Sequence, residues 1–496
     1  MSVVQRCELA PGFSVARVLT GLWQIADMER DGAPLDPLAT ARAMAPYAEA
    51  GLTSFDMADH YGSAEVIAGT YRARVLPRTA GPDAVQLLTK WVPPPGPVTR
   101  AQVREAVERS LRRLQVDRLD LLQFHTWNYR DLSYLDCLGY LQELRDEGLI
   151  RHLGLTNFDA AHLRVVVESG VEVVSNQVSY SLVDQRAAGE LAEYCGARGV
   201  HILAYGTLAG GFLSDRWLGV PEPGGDARHT WSQQKYRRFL DAAGGWEAFQ
   251  GLLRTLQGLA EPRGVSIATL AAASILERPA VGGIIVGARL GRSEHVEETR
   301  RLFDFELDPG ARAAIAAATA ELRPIPGDCG DEYRRPPFLT ASGDLSHHLE
   351  ALPPAFPVVR DPEGRARVSS GTGWERVAGY CRALRDGRRI LVSGTTAAHG
   401  GRRVGGDDPA AQTHFVLDKI GAAVESLGGR WEDIVRTRVY LRDLGDWEAV
   451  ARAHGRRFQG LEPANTLVQA GLVGEGYRVE IEAEALVAPR PDGPPL

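Results

Sequence analysis

Short apolar runs alternate with longer amphipathic stretches through the first two thirds of the chain. Eight of these runs have the length and the β-branched content typical of buried strands. They are Ala16 to Gly21, Leu52 to Asp56, Val85 to Lys90, Leu119 to His125, His152 to Thr156, Val173 to Gln177, Val200 to Tyr205 and Gly283 to Val286. Between them lie helical patterns such as residues 99–114, where Val103, Val107 and Leu111 share one face. Eight β-then-α units predict an α/β fold, a closed (β/α)8 or TIM barrel over residues 1–323.

One connection interrupts the regular alternation of strand and helix patterns. The stretch from Gly206 to about Gly245 is long, rich in Gly and Pro, and contains Trp217 and Tyr236. Long loops in compact domains are usually functional lids or disordered segments, and the aromatic residues favour a lid.

The last third of the chain has a different pattern. Residues 324–357 are rich in Pro, Gly and Asp and are predicted to be a connector. A hairpin signal at Asp386 and Gly387 follows, then a helix, a strand, a helix and two more strands. Asp408 is positioned as the N-cap of the first helix, with Pro409 at its first position. The pattern predicts a smaller α+β domain over residues 358–490.

Composition narrows the classes of function. The chain has 496 residues, which exceeds the usual size of a single core, and its net charge of -7 offers no polycation for nucleic acid or for a lipid surface. No apolar run reaches the length of a signal peptide or a membrane span, so a cytoplasmic protein is expected. The five cysteines are dispersed without a C-x-x-C pair, which indicates reduced thiols and no metal site.

Polar residues follow the carboxyl ends of the predicted strands. Active sites of (β/α)8 barrels are built at this rim. A single His or Lys there is more often structural, but six such residues share the rim. They are Asp56, Lys90, His125, Asn157, Gln177 and Tyr205.

The chemistry of these side chains suits reduction of a carbonyl group, which needs a hydride at carbon and a proton at oxygen. Tyr61 is the candidate proton donor, because a neighbouring ammonium such as that of Lys90 favours the phenolate that remains after proton transfer. Asp56 would hold Lys90 in place, and His125 would orient the substrate oxygen.

The same segments resemble those of the aldo-keto reductase superfamily. FDMADHYG (55–62), LLTKW (87–91), LLQFHTW (121–127) and GLTNF (154–158) are similar to the motifs of that family. The resemblance implies a catalytic tetrad of Asp56, Tyr61, Lys90 and His125. It also implies that Thr156, Asn157 and Gln177 contact the nicotinamide carboxamide and that Tyr205 stacks on the nicotinamide ring.

The resemblance further implies the cofactor NADP(H). Arg289, after the last predicted strand, is positioned to pair with the 2′-phosphate that distinguishes NADP from NAD; the alternative is a solvated loop arginine. The other cofactor-binding candidates in these loops are Gly206, Leu208, Gly287 and Glu298.

Several residues after strand ends are candidates for the wall of a pocket around an apolar or cyclic carbonyl compound. Ordinary loop packing is the alternative. These residues are Trp23, Trp91, Trp127, Asn128 and Tyr129.

Residues 375–488 resemble the RidA (YjgF-like) family of enamine and imine deaminases, which form trimers with sites between subunits. The similar segments are ILVSG (390–394), DIVRTRVYLRDLGDW (433–447), EPANTLVQ (462–469) and RVEIEAEAL (478–486). Asn465 stands where the deaminases have an arginine that would hold a substrate carboxylate. Glu480 matches the acidic residue of the family, and Ser393 is a further candidate. We therefore predict a binding or trimerising module, with an active deaminase as the alternative.

The sequence as a whole predicts an NADP-dependent reductase of aldehydes or ketones, with a small-molecule substrate, no nucleic-acid or membrane partner, and assembly as a homotrimer through the C-terminal domain. Two alternatives are an imine reductase, combined or not with imine deamination, and a redox-sensing interaction module that binds NADP without turnover.

Overall fold

An N-terminal hairpin covers one end of the barrel. The computed structural model describes residues 3–25, 35–81, 83–94, 96–224, 230–291, 295–334 and 352–488. Strands β1 (Arg6–Ala10) and β2 (Phe13–Ala16) pair antiparallel. Their side chains Leu9, Phe13 and Val15 pack against residues inside the barrel, among them Leu19 and Leu203. This hairpin closes the barrel at the end opposite the polar rim.

Eight parallel strands form a closed barrel in the order β10-β3-β4-β5-β6-β7-β8-β9. Each coincides with one of the eight runs predicted from the sequence, so the predicted (β/α)8 barrel is confirmed. The strands are β3 (Val18–Gly21), β4 (Ser54–Asp56), β5 (Gln86–Trp91), β6 (Leu119–Phe124), β7 (Ile150–Thr156), β8 (Ser175–Ser179), β9 (His201–Tyr205) and β10 (Val281–Gly287).

Helices surround this barrel. Helix α4 begins with the capping box that Thr99 and Gln102 form. The helices are α1 (Pro37–Arg42), α2 (Ala45–Glu49), α3 (Ala64–Thr70), α4 (Arg100–Leu114), α5 (Ser133–Asp146), α6 (Ala160–Glu168), α7 (Glu190–Arg198), α8 (Trp231–Ala242), α9 (Trp246–Ala260), α10 (Ile267–Leu276), α11 (Val296–Arg300) and α12 (Pro309–Ala320).

The long connection after β9 contains regular structure. We expected a loop between Gly206 and Gly245, but the segment includes helix α8, which a capping box of Thr230 and Gln233 begins. Trp217 and Tyr236 are buried against the barrel core. The expectation of a simple loop was wrong because Gly and Pro at the start of the segment masked the helical pattern that follows.

The predicted connector contains a further short helix, α13 (Asp331–Arg334). It packs against the rim of the barrel, where Arg334 donates to the backbone carbonyls of Asn157 and Thr126. The rest of the predicted connector includes residues 335–351, which lie outside the described residues.

A seven-stranded sheet with two long helices forms the C-terminal domain, in the strand order β11-β12-β13-β14-β19-β17-β18. The predicted hairpin at Gly387 and the order of helix, strand, helix and two strands are confirmed. The elements are β11 (Val358–Arg360), β12 (Ala366–Val368), α14 (Gly373–Ala378), β13 (Ala383–Asp386), β14 (Arg389–Thr396), β15 (Ala398–His399), β16 (Arg402–Arg403), α15 (Pro409–Ser426), β17 (Ile434–Leu441), α16 (Trp447–Phe458), β18 (Ala464–Gln469) and β19 (Val479–Leu486).

The two domains pack through helices α6 and α15. At the centre of this interface His162 of α6 places Nε2 2.8 Å from Asp418 Oδ2 of α15 and Nδ1 2.8 Å from Asp159 Oδ1. His162 and Asp418 are both buried. Charged groups taken out of water require such partners, so these contacts fix how the domains meet.

Candidate active site

Asp56 and Lys90 form a buried ion pair at the rim of the barrel. Asp56 ends β4 and Lys90 lies near the end of the neighbouring strand β5. Lys90 Nζ is 2.7 Å from Asp56 Oδ2 and donates to the Met57 carbonyl at 2.8 Å. Burial lowers the pKa of Lys90, and the charge of Asp56 partly offsets this effect. Asp56 therefore helps to keep an ammonium group inside the site.

Two glutamines complete the surroundings of Asp56. Gln177 Nε2 lies 2.7 Å from Asp56 Oδ1, and Gln123 Nε2 lies 3.1 Å from the same oxygen. Gln177 also donates to Gln123 Oε1 at 2.8 Å. The structure thus places the Gln177 amide on the tetrad carboxylate. Gln123 was missed from the sequence, although its alternation with buried Leu122 and Phe124 marks it as facing the barrel interior.

Tyr61 lies on the loop between β4 and α3, beside Lys90. Lys90 Nζ is 5.0 Å from the centroid of the Tyr61 ring. The loop is anchored by Arg113 of α4, whose Nη1 donates to the Asp59 carbonyl at 2.8 Å and lies 3.1 Å from Glu65 Oε2. The proton-donor candidate and its cation are therefore neighbours on a fixed loop.

His125 follows β6 and faces the same pocket. Its Nδ1 lies 3.4 Å from the Thr156 carbonyl oxygen. Its Nε2 is buried and, among the described residues, has no hydrogen-bond partner. Burial lowers the pKa of His125 well below its ordinary value, and the positive charge of Arg334 lowers it further. A neutral imidazole with a free ring nitrogen is suited to contact a substrate oxygen.

Asn157 and Tyr205 meet on the opposite side of the rim. The Tyr205 hydroxyl is 2.8 Å from Asn157 Oδ1 and 3.0 Å from Glu332 Oε1. Asn157 has a left-handed backbone with φ of 62°, which turns the chain at the end of β7. Its neighbour Thr156 donates its hydroxyl to the Gln177 carbonyl. Tyr205 is half-buried.

The remaining cofactor candidates lie in the loops after β9 and β10. Gly206 has φ of 68°, and a Cβ atom there would lie 2.1 Å from the Tyr236 hydroxyl, so glycine is required; Leu208 follows it, half-buried. Arg289 is half-buried and donates through Nε to Gln24 Oε1 at 3.2 Å, while Gly287 is exposed. Glu298 accepts from the Ser266 hydroxyl at 2.5 Å.

The five pocket-wall candidates are distributed between two places. Trp127 lies edge-on to His125 with ring centroids 4.7 Å apart, and Trp91 is buried beside Phe124 at the end of the barrel. Trp23 is half-buried after β3.

Asn128 and Tyr129 instead line a cleft of about 1480 Å³ between the two domains. The ring of Tyr129 stacks on His162 at 3.4 Å. Their side chains therefore lie at the domain interface.

The segment 328–334 supplies residues to the rim that the sequence did not identify. Glu332 is fully buried and pairs with Arg186 at 2.8 Å. Burial alone would raise the pKa of Glu332, but the charges of Arg186 and Lys235 hold it below its ordinary value. Because this segment follows the last barrel helix in sequence, no strand-end pattern could have placed it in the site.

The three candidates in the C-terminal domain do not meet within one chain. Ser393 lies on β14 and donates to the Cys381 carbonyl, and Glu480 lies on the adjacent β19, where burial raises its pKa. Asn465 lies on β18, on the far side of β19 and β17, and donates to the Thr437 hydroxyl at 2.8 Å. Neighbouring strands are about 4.8 Å apart, so roughly 14 Å separates β14 from β18.

Among the described residues, no helix has the length and apolarity needed to cross a membrane. Within the same ranges, no group of three or more His, Cys, Asp or Glu side chains is arranged to hold a metal ion.

Comparisons with known proteins agree with this division of the chain. The family model described as aldo/keto reductase family matches residues 17–320, and the one described as endoribonuclease L-PSP, which corresponds to the RidA resemblance, matches residues 373–487. An uncharacterized oxidoreductase of Mycobacterium tuberculosis is 27% identical over 321 residues, which is 63% of this chain and 91% of the relative.

Two further relatives cover one domain or the other. An uncharacterized protein of Streptomyces coelicolor is 38% identical over 124 residues, 25% of this chain and 92% of its own length. The crystal structure of a glycerol dehydrogenase from Gluconobacter oxydans is similar with a TM-score of 0.53 and 24% identity, and the match covers 66% of this chain and 98% of that one. This last likeness concerns the fold.

Proposed function

This chain belongs to the aldo/keto reductase family through residues 17–320, and on that basis we propose that it reduces an aldehyde or ketone to an alcohol with NADPH as hydride donor. The observation that supports the proposal best is the Lys90 ammonium, which is held by Asp56 at 2.7 Å and lies 5.0 Å from the ring of Tyr61.

Tyr61 is proposed to donate the proton to the substrate oxygen. A tyrosine with a pKa of about 10 is a weak acid at neutral pH. The positive charge of Lys90 stabilises the phenolate, which lowers the cost of releasing the proton. His125, through its free Nε2, positions the substrate oxygen next to the Tyr61 hydroxyl.

The rim carries groups that suit a nicotinamide cofactor. Asn157 and Thr156 bring an amide and a hydroxyl to one side of the pocket, and the half-buried Tyr205 lies next to them. These groups match the hydrogen-bonding edge and the flat ring of a nicotinamide. When bound, the cofactor supplies the hydride for the carbonyl carbon. Arg289 would hold the 2′-phosphate of NADP, which NAD lacks.

For the C-terminal domain we propose a role in assembly, as a trimer. The face of its sheet that carries the outward-pointing residues of β14, β19 and β18 exposes Leu391, Leu486 and Val468, each to more than 40%. Apolar residues exposed on one sheet face favour a protein partner. Asn465 supplies no cation for a carboxylate, which argues against the usual deaminase chemistry. Within a trimer, β18 of one subunit would approach β14 of the next. This would bring Asn465 of one subunit close to Ser393 and Glu480 of its neighbour.

The reductase proposal is tested by Tyr61→Phe. We expect kcat for a panel of aldehydes and ketones to fall by roughly 10²-fold or more, because the proton donor is lost, while the Kd for NADPH is retained. Tyr140→Phe on helix α5 is the matched control and should keep full activity. Equal activity of Tyr61→Phe and wild type would refute the assignment, and tight NADPH binding without any turnover in wild type would favour a redox-sensing module.

Assembly is tested separately by sedimentation. We expect the wild-type mass to be that of a trimer and Leu391→Glu to shift it towards the monomer, because a charge would be buried in the interface. Val3→Glu, which alters an exposed apolar residue before β1, is the control. A wild-type protein that sediments as a monomer would contradict the proposal.

A further inference from the structure

A second pairing of a lysine with a tyrosine lies beside His125. Lys235 of helix α8 donates through Nζ to the Tyr333 hydroxyl at 2.6 Å. The Tyr333 ring is edge-on to the catalytic His125, with centroids 5.7 Å apart. Neither residue belongs to a barrel strand, because α8 follows β9 by a long connection and Tyr333 comes after the last barrel helix.

The backbone around Tyr333 is fixed on both sides. The preceding residue, Glu332, is buried. Its Oε2 lies 2.8 Å from Arg186 Nη1, and its Oε1 lies 3.0 Å from the Tyr205 hydroxyl. After Tyr333, Arg334 donates to the Asn157 carbonyl at 2.6 Å and lies over the ring of Tyr129 at 4.1 Å. Tyr333 itself is half-buried, so a held backbone presents a partly open side chain to the catalytic pocket.

Three cations lie at this wall. Arg186 lies between two carboxylates, those of Asp184 and Glu332, at 2.8 Å from each. The other two cations, Lys235 and Arg334, act on His125, because both lower its pKa beyond the larger effect of its burial.

We propose that Tyr333 and Lys235 form a recognition site for a carboxylate on the substrate, so that the enzyme prefers aldehydes or ketones that carry an acid group. The inference rests on the proposed reductase function and specifies its substrate class. A phenol hydroxyl and an ammonium group both donate hydrogen bonds, and charge-assisted bonds to a carboxylate are the stronger kind. In this arrangement the reacting carbonyl contacts Tyr61 and His125, and the acid group contacts Tyr333 and Lys235.

The test compares two aldehydes of the same shape, 4-carboxybenzaldehyde and its neutral amide 4-carbamoylbenzaldehyde, and repeats the comparison with the 3-substituted pair. We expect wild-type kcat/KM with NADPH to favour the acid by about 10-fold to 100-fold in at least one pair. Lys235→Met and Tyr333→Phe should each reduce this ratio towards one. Arg238→Met removes an exposed cation from the same helix and should keep the wild-type ratio.

A second measurement needs only the wild-type enzyme. If charge attraction causes the preference, rising salt concentration should reduce the acid-to-amide ratio, because salt screens the interaction. The proposal is overturned if the wild type shows no preference for the acid, or if the preference persists in both variants. A wild type that reduces none of these aldehydes, nor any neutral carbonyl compound, refutes the reductase function itself, and the recognition site with it.

Discussion

Arg289 lies in the loop after β10, and we propose that its side chain contacts the 2′-phosphate that distinguishes NADP from NAD. Its Nε donates to Gln24, which in turn donates to the Ser232 hydroxyl at 2.9 Å, so the guanidinium group is oriented before any ligand arrives. A guanidinium group held in this orientation is suited to form two parallel hydrogen bonds to phosphate oxygens.

We therefore expect Arg289→Ala to weaken NADPH binding by about 10-fold to 100-fold and NADH binding much less, because only NADPH carries the 2′-phosphate. Fluorescence titration of the purified protein with each nucleotide measures both constants. Arg301→Ala, at an exposed position beyond helix α11, controls for the change in overall charge. Equal weakening of NADPH and NADH would refute the role of Arg289 in phosphate recognition.

Single residues of the site differ in how far the sequence could identify them. Asp56, Lys90 and His125 follow apolar strand patterns, and the geometry of a parallel barrel places strand ends together, so their meeting could be predicted. Tyr333 and Lys235 come from segments outside the strand pattern. Their approach depends on how two long connections fold over the rim, and this depends on tertiary packing that local periodicity does not encode.

At the scale of elements, helix α4 holds the loop that carries Tyr61. Helix α3 crosses the end of α4 so closely that a Cβ atom on Gly69 would lie 2.3 Å from the Arg113 carbonyl oxygen. This contact brings the Arg113 side chain to Asp59 and to the buried Glu65, which also accepts from the Thr89 hydroxyl at 2.7 Å. The loop that carries Tyr61 is thus supported by the packing of two helices.

We expect Arg113→Ala to lower the free energy of unfolding by about 2 kcal/mol, since Glu65 would lose its cation while remaining buried. Denaturant unfolding measures this change. The value of kcat should fall as well, because the loop between Asp59 and Glu65 positions Tyr61.

Arg112→Ala is the matched control, because Arg112 is the neighbouring arginine and its side chain is 67% exposed. Its effect on stability should stay within about 0.5 kcal/mol. If the two variants are equally stable and equally active, the loop does not depend on Arg113.

Regular elements with strong patterns could be predicted, whereas short or context-dependent ones could not. Helix α15 was located from Asp408 and Pro409, and its N-cap bond to the Ala411 amide is present. The N-terminal hairpin was not predicted from the sequence, because β1 and β2 are short strands before the first barrel strand and their sequence resembles that of a loop. Helix α8 was not predicted because the Gly- and Pro-rich start of its connection masked the helical pattern that follows.

At the scale of the whole molecule, the domain interface is connected to the reductase site. Asp418 contacts His162, the ring of Tyr129 stacks on His162, and Arg334 lies over Tyr129 while it donates to the Asn157 carbonyl. Each contact in this series, from Asp418 to Asn157, is a direct contact between neighbouring residues. The C-terminal domain therefore supports the rim of the barrel.

Asp418→Asn tests this arrangement. The change removes the buried charge that pairs with Arg457 and weakens the contact with His162, which keeps Asp159 as its other partner, so we expect a loss of about 1.5–3 kcal/mol in the stability of the domain junction. Calorimetry should then resolve separate unfolding of the two domains, and the Kd for NADPH should rise because the support of Asn157 is loosened. Glu425→Gln is the control: it removes the partly exposed interdomain pair with Arg130, which is worth at most about 1 kcal/mol. If Asp418→Asn behaves like this control in both measurements, the buried cluster does not hold the domains together.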